Sequence, residues 1–132
     1  MIPKFRVWLP DPDVERMLRV KALVFEDGKT RCVCGYSYDF YLEDEDAILM
    51  QSTGLLDKNG KEIFEGDIIA IEVDDNEASI NAKVFQNRKI GILMFHVFED
   101  NEDVPMVELL EDNSVAFKII GNIYENKELI DA

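Results

Sequence analysis

The sequence is short of the residues that concentrate chemistry. It has a single histidine, His96, and only two cysteines, Cys32 and Cys34. A structural zinc site wants four ligands, commonly with a Cys-x₂₋₄-Cys spacing. Here one residue separates the cysteines, so Cys32, Cys34 and His96 read as strand packing rather than as a metal set. Residues two apart on a strand share a face, and same-face thiols of one strand do not normally make a structural cross-link. Reduced thiols in a cytoplasmic protein are the expectation. His96 lies in Met94-Phe95-His96-Val97-Phe98. With no paired nucleophile or orienting motif, it reads as the polar face of a strand. No phosphate-cradling glycine loop, nucleophile elbow or metalloprotease helix motif is present. No apolar run approaches a membrane span, and no charged-then-apolar pattern opens the chain. The absences set expectations of no catalytic residue, no metal, no cofactor and no membrane.

Basic residues are also scarce. Fourteen Lys and Arg stand against 28 Asp and Glu, for a formal net charge of −14 and a pI near 4.3. A chain this acidic is a poor phosphate binder, so nucleic acid is disfavoured as a partner. The acid is unevenly spread. Residues 1–40 hold seven basic and six acidic residues, a net of +1, whereas residues 41–132 hold seven and 22, a net of −15. With 132 residues, 47% of them hydrophobic, the chain is expected to form one continuous globular unit. Residues 1–48 would be an N-terminal β subdomain and residues 49–132 a second one.

What is present is β patterning, centred on Met50 to Val73. Asp57-Lys58-Asn59-Gly60 sits between Leu55-Leu56 and Ile63-Phe64. An Asp at the first position hydrogen-bonds the backbone two residues on, and Asn or Gly takes positive φ at low cost. The spacing predicts a hairpin on a type I turn with a glycine bulge. Glu65-Gly66-Asp67 predicts a sharp bend capped by the Asp67 carboxylate. Ile69, Ile71 and Val73 then alternate with Ala70 and Glu72, the period of a half-buried strand.

The rest of the chain continues the pattern. Lys4 to Leu9 reads as a strand, ended by Pro10 and Pro12. Met17 to Phe25 reads as one strand with a mostly basic outer face, Asp27-Gly28 as a hairpin turn, and Thr30 to Phe40 as the return strand. Glu43 to Asp46 is an acidic connector. Further strands are expected at Ala78 to Phe85, Lys89 to Phe98 (with a bulge at Gly91), Val104 to Leu110 and Val115 to Ile120. Between them lie turns at Asp74–Glu77, Asn87-Arg88 and Glu111–Ser114. Gly121-Asn122 bends the chain, and Asn126 is placed to cap a helical turn over Lys127 to Ile130. Strands at this spacing indicate a sandwich or barrel.

Three other features carry a sharper reading beside a plain one. Asp57 to Glu62 superficially resembles a calcium loop, but its fifth and sixth positions are Lys61 and Glu62, where an oxygen ligand and a glycine are needed. A hairpin turn is favoured, and Glu65 and Asp67 read as corner-makers rather than catalysts. Tyr36, Tyr38, Phe40 and Tyr41 cluster near basic residues and could stack single-stranded bases. Packing is favoured, because Asp39 and the acidic connector adjoin them. The basic residues Arg16, Arg19, Lys21, Lys29 and Arg31 are either solvated among nearby acids or an orienting contact surface.

The run Leu49 to Ile69, LMQSTGLLDKNGKEIFEGDII, resembles the signature of the YopX family of phage and prophage proteins. Pro3 to Trp8 resembles the family's opening, and Ile119 to Asn126 its closing IGNIYEN. Lys127 stands where many relatives have proline, and Asp11 to Asp46 matches nothing in the pattern. The resemblance makes Thr53, Gly54, Leu55, Asp57, Asn59, Gly60, Glu65, Gly66, Asp67, Gly121, Asn122, Ile123 and Tyr124 the motif residues. It implies a small, mostly β protein encoded by mobile elements, with an SH3-like barrel, and it supplies no catalytic residues. The combined expectation is an all-β chain: an SH3-like small barrel with an additional N-terminal β-hairpin sheet. Its function would be that of a non-enzymatic accessory protein in the host-cell cytoplasm, working through contact with an unidentified protein. A homo-oligomer is expected, joined through the N-terminal region, with Arg16, Arg19, Lys21, Arg31, Tyr36 and Tyr38 as candidate contact residues. The alternatives are a nucleic-acid-associated module and a Mg²⁺-dependent carboxylate hydrolase or nuclease.

Overall fold

The computed structural model describes residues 4–35, 38–73, 79–111 and 114–130. The chain divides into two compact units, Met1–Ser52 and Thr53–Ala132. The secondary structure is nearly all β, as the periodicity predicts.

In the first unit, β1 (Phe5–Leu9) pairs antiparallel with β2 (Arg16–Arg19) and with the opening half of β6 (Ile48–Leu56). Val7, Trp8, Leu9 and Met50 are buried there. A separate three-stranded sheet has the order β3 (Ala22–Glu26), β4 (Lys29–Gly35), β5 (Tyr38–Tyr41). Its first turn is the expected Asp27-Gly28 hairpin, with Gly28 at φ 76°.

Two expected strands are each divided. Met17 to Phe25 is β2 and β3, because the backbone changes partners midway. The Val20 N–H donates to the Phe5 carbonyl at 3.1 Å, and the Lys21 N–H to the Val33 carbonyl at 2.7 Å. The alternation of side chains continues across that break, so the sequence pattern does not reveal it. Thr30 to Phe40 likewise spans two strands. The register shifts between Val33 and Gly35, β4 ends at Gly35, and the chain returns as β5.

In the second unit, β6 leads through the Asp57–Gly60 turn to β7 (Glu62–Phe64). A five-stranded antiparallel sheet has the order β11 (Glu102–Pro105), β10 (Ile92–Val97), β9 (Ser79–Asn87), β8 (Asp67–Val73), β12 (Val115–Asn122). Its edges are β11 and β12. Asp67 to Ile71 of β8 are all buried, whichever face they point to. The core gathers Ile63, Ile69, Ile71, Ala82, Val84, Phe95, Val97, Met106 and Phe117. The Phe95 and Phe117 rings lie 5.3 Å apart and tilted, a favourable aromatic geometry.

Here too the structure corrects details. Val104 to Leu110 is not one strand: β11 ends at Pro105 and a short helix, α1 (Met106–Leu110), follows. Pro105 has no N–H to extend a ladder and sits at φ −60°, a good entry to a helix. Met106 then turns into the core. The strand expected from Lys89 starts only at Ile92, and Gly91 serves a turn rather than a bulge. Its φ is 71°, and its N–H closes on the Asn87 carbonyl at 2.7 Å. Asn126 does not cap the final 3-10 turn, Lys127–Leu129. Its side chain is engaged elsewhere, as described below. The expected turn at Asp74–Glu77 lies outside the described residues.

Candidate functional site

The motif residues of the second unit come together in space, and what they do is hold the chain. The Asp57 carboxylate is buried. Its Oδ1 accepts the N–H groups of Asn59 and Lys61, both at 2.9 Å, and its Oδ2 accepts the N–H of Ile119 at 3.1 Å. Ile119 is 62 positions away, where β12 departs from regular pairing with β8. The Lys58 N–H adds a 2.8 Å bond to the Phe117 carbonyl. Burial works to raise the Asp57 pKa. The backbone donors of Ile119, Lys61 and Asn59, with the nearby Lys61 ammonium, outweigh it and hold the carboxyl below the usual carboxylate range. Gly60 takes φ 81° and bonds back to the Asp57 carbonyl at 3.0 Å, closing the expected turn.

The Glu65-Gly66-Asp67 corner is built similarly. Asp67 Oδ2 accepts the Phe64 N–H at 2.8 Å, so the expected cap is present. Gly66, at φ 86°, donates to the Val84 carbonyl at 2.8 Å and accepts from the Ile123 N–H at 2.9 Å. Glu65 lies 3.4 Å from Arg88. In the β6–β7 hairpin, Thr53 Oγ1 donates to the Ile63 carbonyl at 2.8 Å and accepts the Leu55 N–H at 3.1 Å, spanning Gly54 at φ 80°.

The closing motif completes the set. Asn122 pairs with Asp67, its Oδ1 accepts the N–H groups of Tyr124 and Glu125, and its Nδ2 donates to Glu125. Asn126 Oδ1 accepts the Asn122 N–H at 3.0 Å. Gly121 lies beneath that bond: a Cβ there would stand 2.5 Å from Asn126 Oδ1 and 3.0 Å from its Cβ.

The candidate contact residues are more scattered. Arg16 and Arg19 are exposed on β2, and Lys21 lies between β2 and β3. Arg31 projects from β4 beside Val24 and Tyr41 and is held by Glu26 at 2.9 Å and Asp39 at 3.4 Å. Those acids, Glu26 foremost, raise its pKa. Lys29 pairs with Asp44 at 3.0 Å, and its ammonium lies 5.1 Å from the Tyr41 ring centre. Tyr38 belongs to the opposite face, where its ring meets Phe40 edge-on at 5.8 Å. Tyr36 lies outside the described residues.

That opposite face borders a cleft that pattern reading missed. It has a volume of about 250 Å³ and is lined by Leu9, Asp11, Val14, Tyr38, Asp39, Phe40 and Glu45. A shallower groove of about 420 Å³, lined by Pro10 to Pro12 and Asp44 to Asp46, shares Asp11 and Glu45 with it. The loop after β1 is shaped by Asp11, which accepts the N–H groups of Asp13, Val14 and Glu15. The only sequence signals were two separate loops, Pro10-Asp11-Pro12 and Glu43–Asp46. Nothing local says that they face one another.

The cysteines are placed for packing. Cys32 and Cys34 are free, with their Sγ atoms 3.6 Å apart. Burial pushes the Cys32 thiol up to about 12 and raises that of Cys34, so neither is a ready nucleophile at neutral pH. His96 Nδ1 lies 2.7 Å from Asp103 Oδ1 on the neighbouring strand. Among the described residues, no group of three or more His, Cys, Asp or Glu is arranged to hold a metal. No helix among them is long and apolar enough to cross a membrane.

The fold is similar to the crystal structure of protein EF1440 from Enterococcus faecalis, with 27% identity, a TM-score of 0.66, and coverage of 98% of this chain and 99% of that one. It is also similar to protein yopX from Bacillus subtilis, with 21% identity, a TM-score of 0.66 and 96% of each chain covered. No curated protein matches. Residues 4–131 match the family described as YopX protein. The chain belongs to the YopX family.

Proposed function

We propose that the chain is a non-enzymatic accessory protein of a phage or prophage, acting in the host-cell cytoplasm through protein contacts. One observation carries this reading. The motif side chains of Thr53, Asp57, Asp67 and Asn122 are occupied with backbone hydrogen bonds, while the first unit presents large aromatic groups to solvent on β3 and β5. Phe25 is 80% exposed on β3 and Tyr38 41% exposed on β5. Large aromatics left at the surface are the usual raw material of contact hot spots. Self-association through this same N-terminal β region is part of the proposal, since β3 and β5 are sheet edges.

Two experiments test it. Affinity capture of the full chain from infected host cells should return a defined partner. Gel-shift titrations on single- and double-stranded DNA, with and without Mg²⁺, should show neither tight salt-sensitive binding nor cleavage. Tight binding would replace this reading with a nucleic-acid module, and cleavage would replace it with a nuclease. Sedimentation of the full chain should show an oligomer at tens of micromolar, an order typical of association in vitro; a monomer there would overturn the self-association.

A further inference from the structure

We infer that the cleft of the first unit is a receptor for a single arginine side chain presented by a protein partner, a proposal that rests on the contact reading above and gives it a chemistry. Three observations converge. The first is size: about 250 Å³ falls below the ~300 Å³ at which pockets for drug-sized ligands begin, yet it leaves room for one long side chain. The second is the aromatic pair. Tyr38 and Phe40 lie on one face of β5, edge-on at 5.8 Å, and both line the cleft; aromatic rings of this kind are the groups on which a planar guanidinium stacks. The third is charge. Asp11, Asp39 and Glu45 line the cleft, Asp44 and Asp46 extend the same sign into the adjoining groove, and among the described residues no Lys, Arg or His lines either.

The acids are not equivalent. Asp39 already binds Arg31 at 3.4 Å, Asp44 binds Lys29 at 3.0 Å, and Asp11 Oδ1 accepts the Asp13 N–H at 2.9 Å. Glu45 is exposed and common to both cavities, so it is the carboxylate assigned to the incoming guanidinium. Leu9 and Val14 supply the apolar wall for the methylene stem. The fold already uses this chemistry internally, with Lys29 over the Tyr41 ring at 5.1 Å.

The test is an NMR titration of the full chain with N-acetylarginine amide, using N-acetylcitrulline amide as the uncharged isostere. The expected result is saturable shifts confined to the amides of Leu9, Asp11, Val14, Tyr38, Phe40 and Glu45, and none with the citrulline compound. Glu45→Gln and Phe40→Ala should each weaken binding by roughly three-fold or more. Glu99→Gln, an exposed acid of the second unit, should leave it unchanged. Equal shifts across distant acidic loops, equal binding of citrulline, or no saturable shift would each overturn the assignment. The two proposals fail separately. A captured partner whose binding ignores Glu45→Gln and Phe40→Ala sinks the receptor and leaves the contact reading standing. Localised arginine binding without any captured partner does the reverse.

Discussion

The two units spend their polar residues differently. In the second, Asp57, Asp67 and Asn122 are buried, and their side chains accept backbone N–H groups from turns and from β12. In the first, Ser52 is the one buried polar residue among those described, and the charged side chains stay at the surface, where they form ion pairs such as Lys29–Asp44 and Arg31–Glu26, as Arg88 and Glu65 do in the second unit. Exposed ion pairs of that kind are worth little, whereas a buried acceptor left without its donors is costly. The lesson is that the family's recognisable residues report on architecture. The segment from Asp11 to Asp46, which matches nothing in the motif, holds the exposed aromatics Phe25 and Tyr38 on which the proposed contacts rest.

The largest expected effect tests that division directly. Asp57→Ala removes the acceptor of three backbone donors and should cost about 3 kcal/mol in urea unfolding. The same carboxylate sets an acid limit. Its folded pKa is depressed, so its contribution is present above the unfolded value of about 3.9 and is lost as pH falls through the folded value. Wild-type stability should therefore decline below about pH 4, and Asp57→Ala should flatten that decline. Next comes Gly121→Ala, which drives a Cβ against Asn126 and should cost about 2 kcal/mol. A neutral result would mean that the Asn122–Asn126 bond is dispensable.

How much of this could be read from the sequence follows from the range of each interaction. The Asp57–Gly60 turn and the Asp67 cap were legible, because each closes within four residues. The bond from Ile119 to Asp57 was not, because only the folded sheet brings β12 to the turn. The break at Val20-Lys21 was hidden for a similar reason: it is a change of backbone partner with no change in side-chain alternation. Helix α1 was hidden because Val107, Leu109 and Leu110 suit a strand as well as a short helix; the deciding facts are Pro105 and the burial of Met106. The cleft needs two loops that are over thirty residues apart in sequence, Asp11 and Glu45, and no periodicity encodes their meeting.

The smaller effects belong to the first unit. Phe25→Ser changes a side chain that is 80% exposed and should move stability by no more than about 0.5 kcal/mol, while weakening self-association in sedimentation. A large loss of stability would mean that Phe25 is structural and that the contrast between units is overstated. Least of all should change under mild thiol reagents. With Cys32 pushed up to about 12 and Cys34 raised, labelling of the native chain at pH 7 should be slow, accelerating only as pH rises past the ordinary thiol value of about 8.5.

The measurement that bears most directly on the difference between the units is native-state hydrogen exchange of the full chain. The amides of Asn59, Lys61 and Ile119 all donate to the Asp57 carboxylate. They should exchange as slowly as the interior of β8, through global opening alone, while β3 and β5 release their protons earlier. If Lys61 and Ile119 instead exchange at the rate of an exposed loop, the Asp57 carboxylate does not hold the second unit together and the account is wrong.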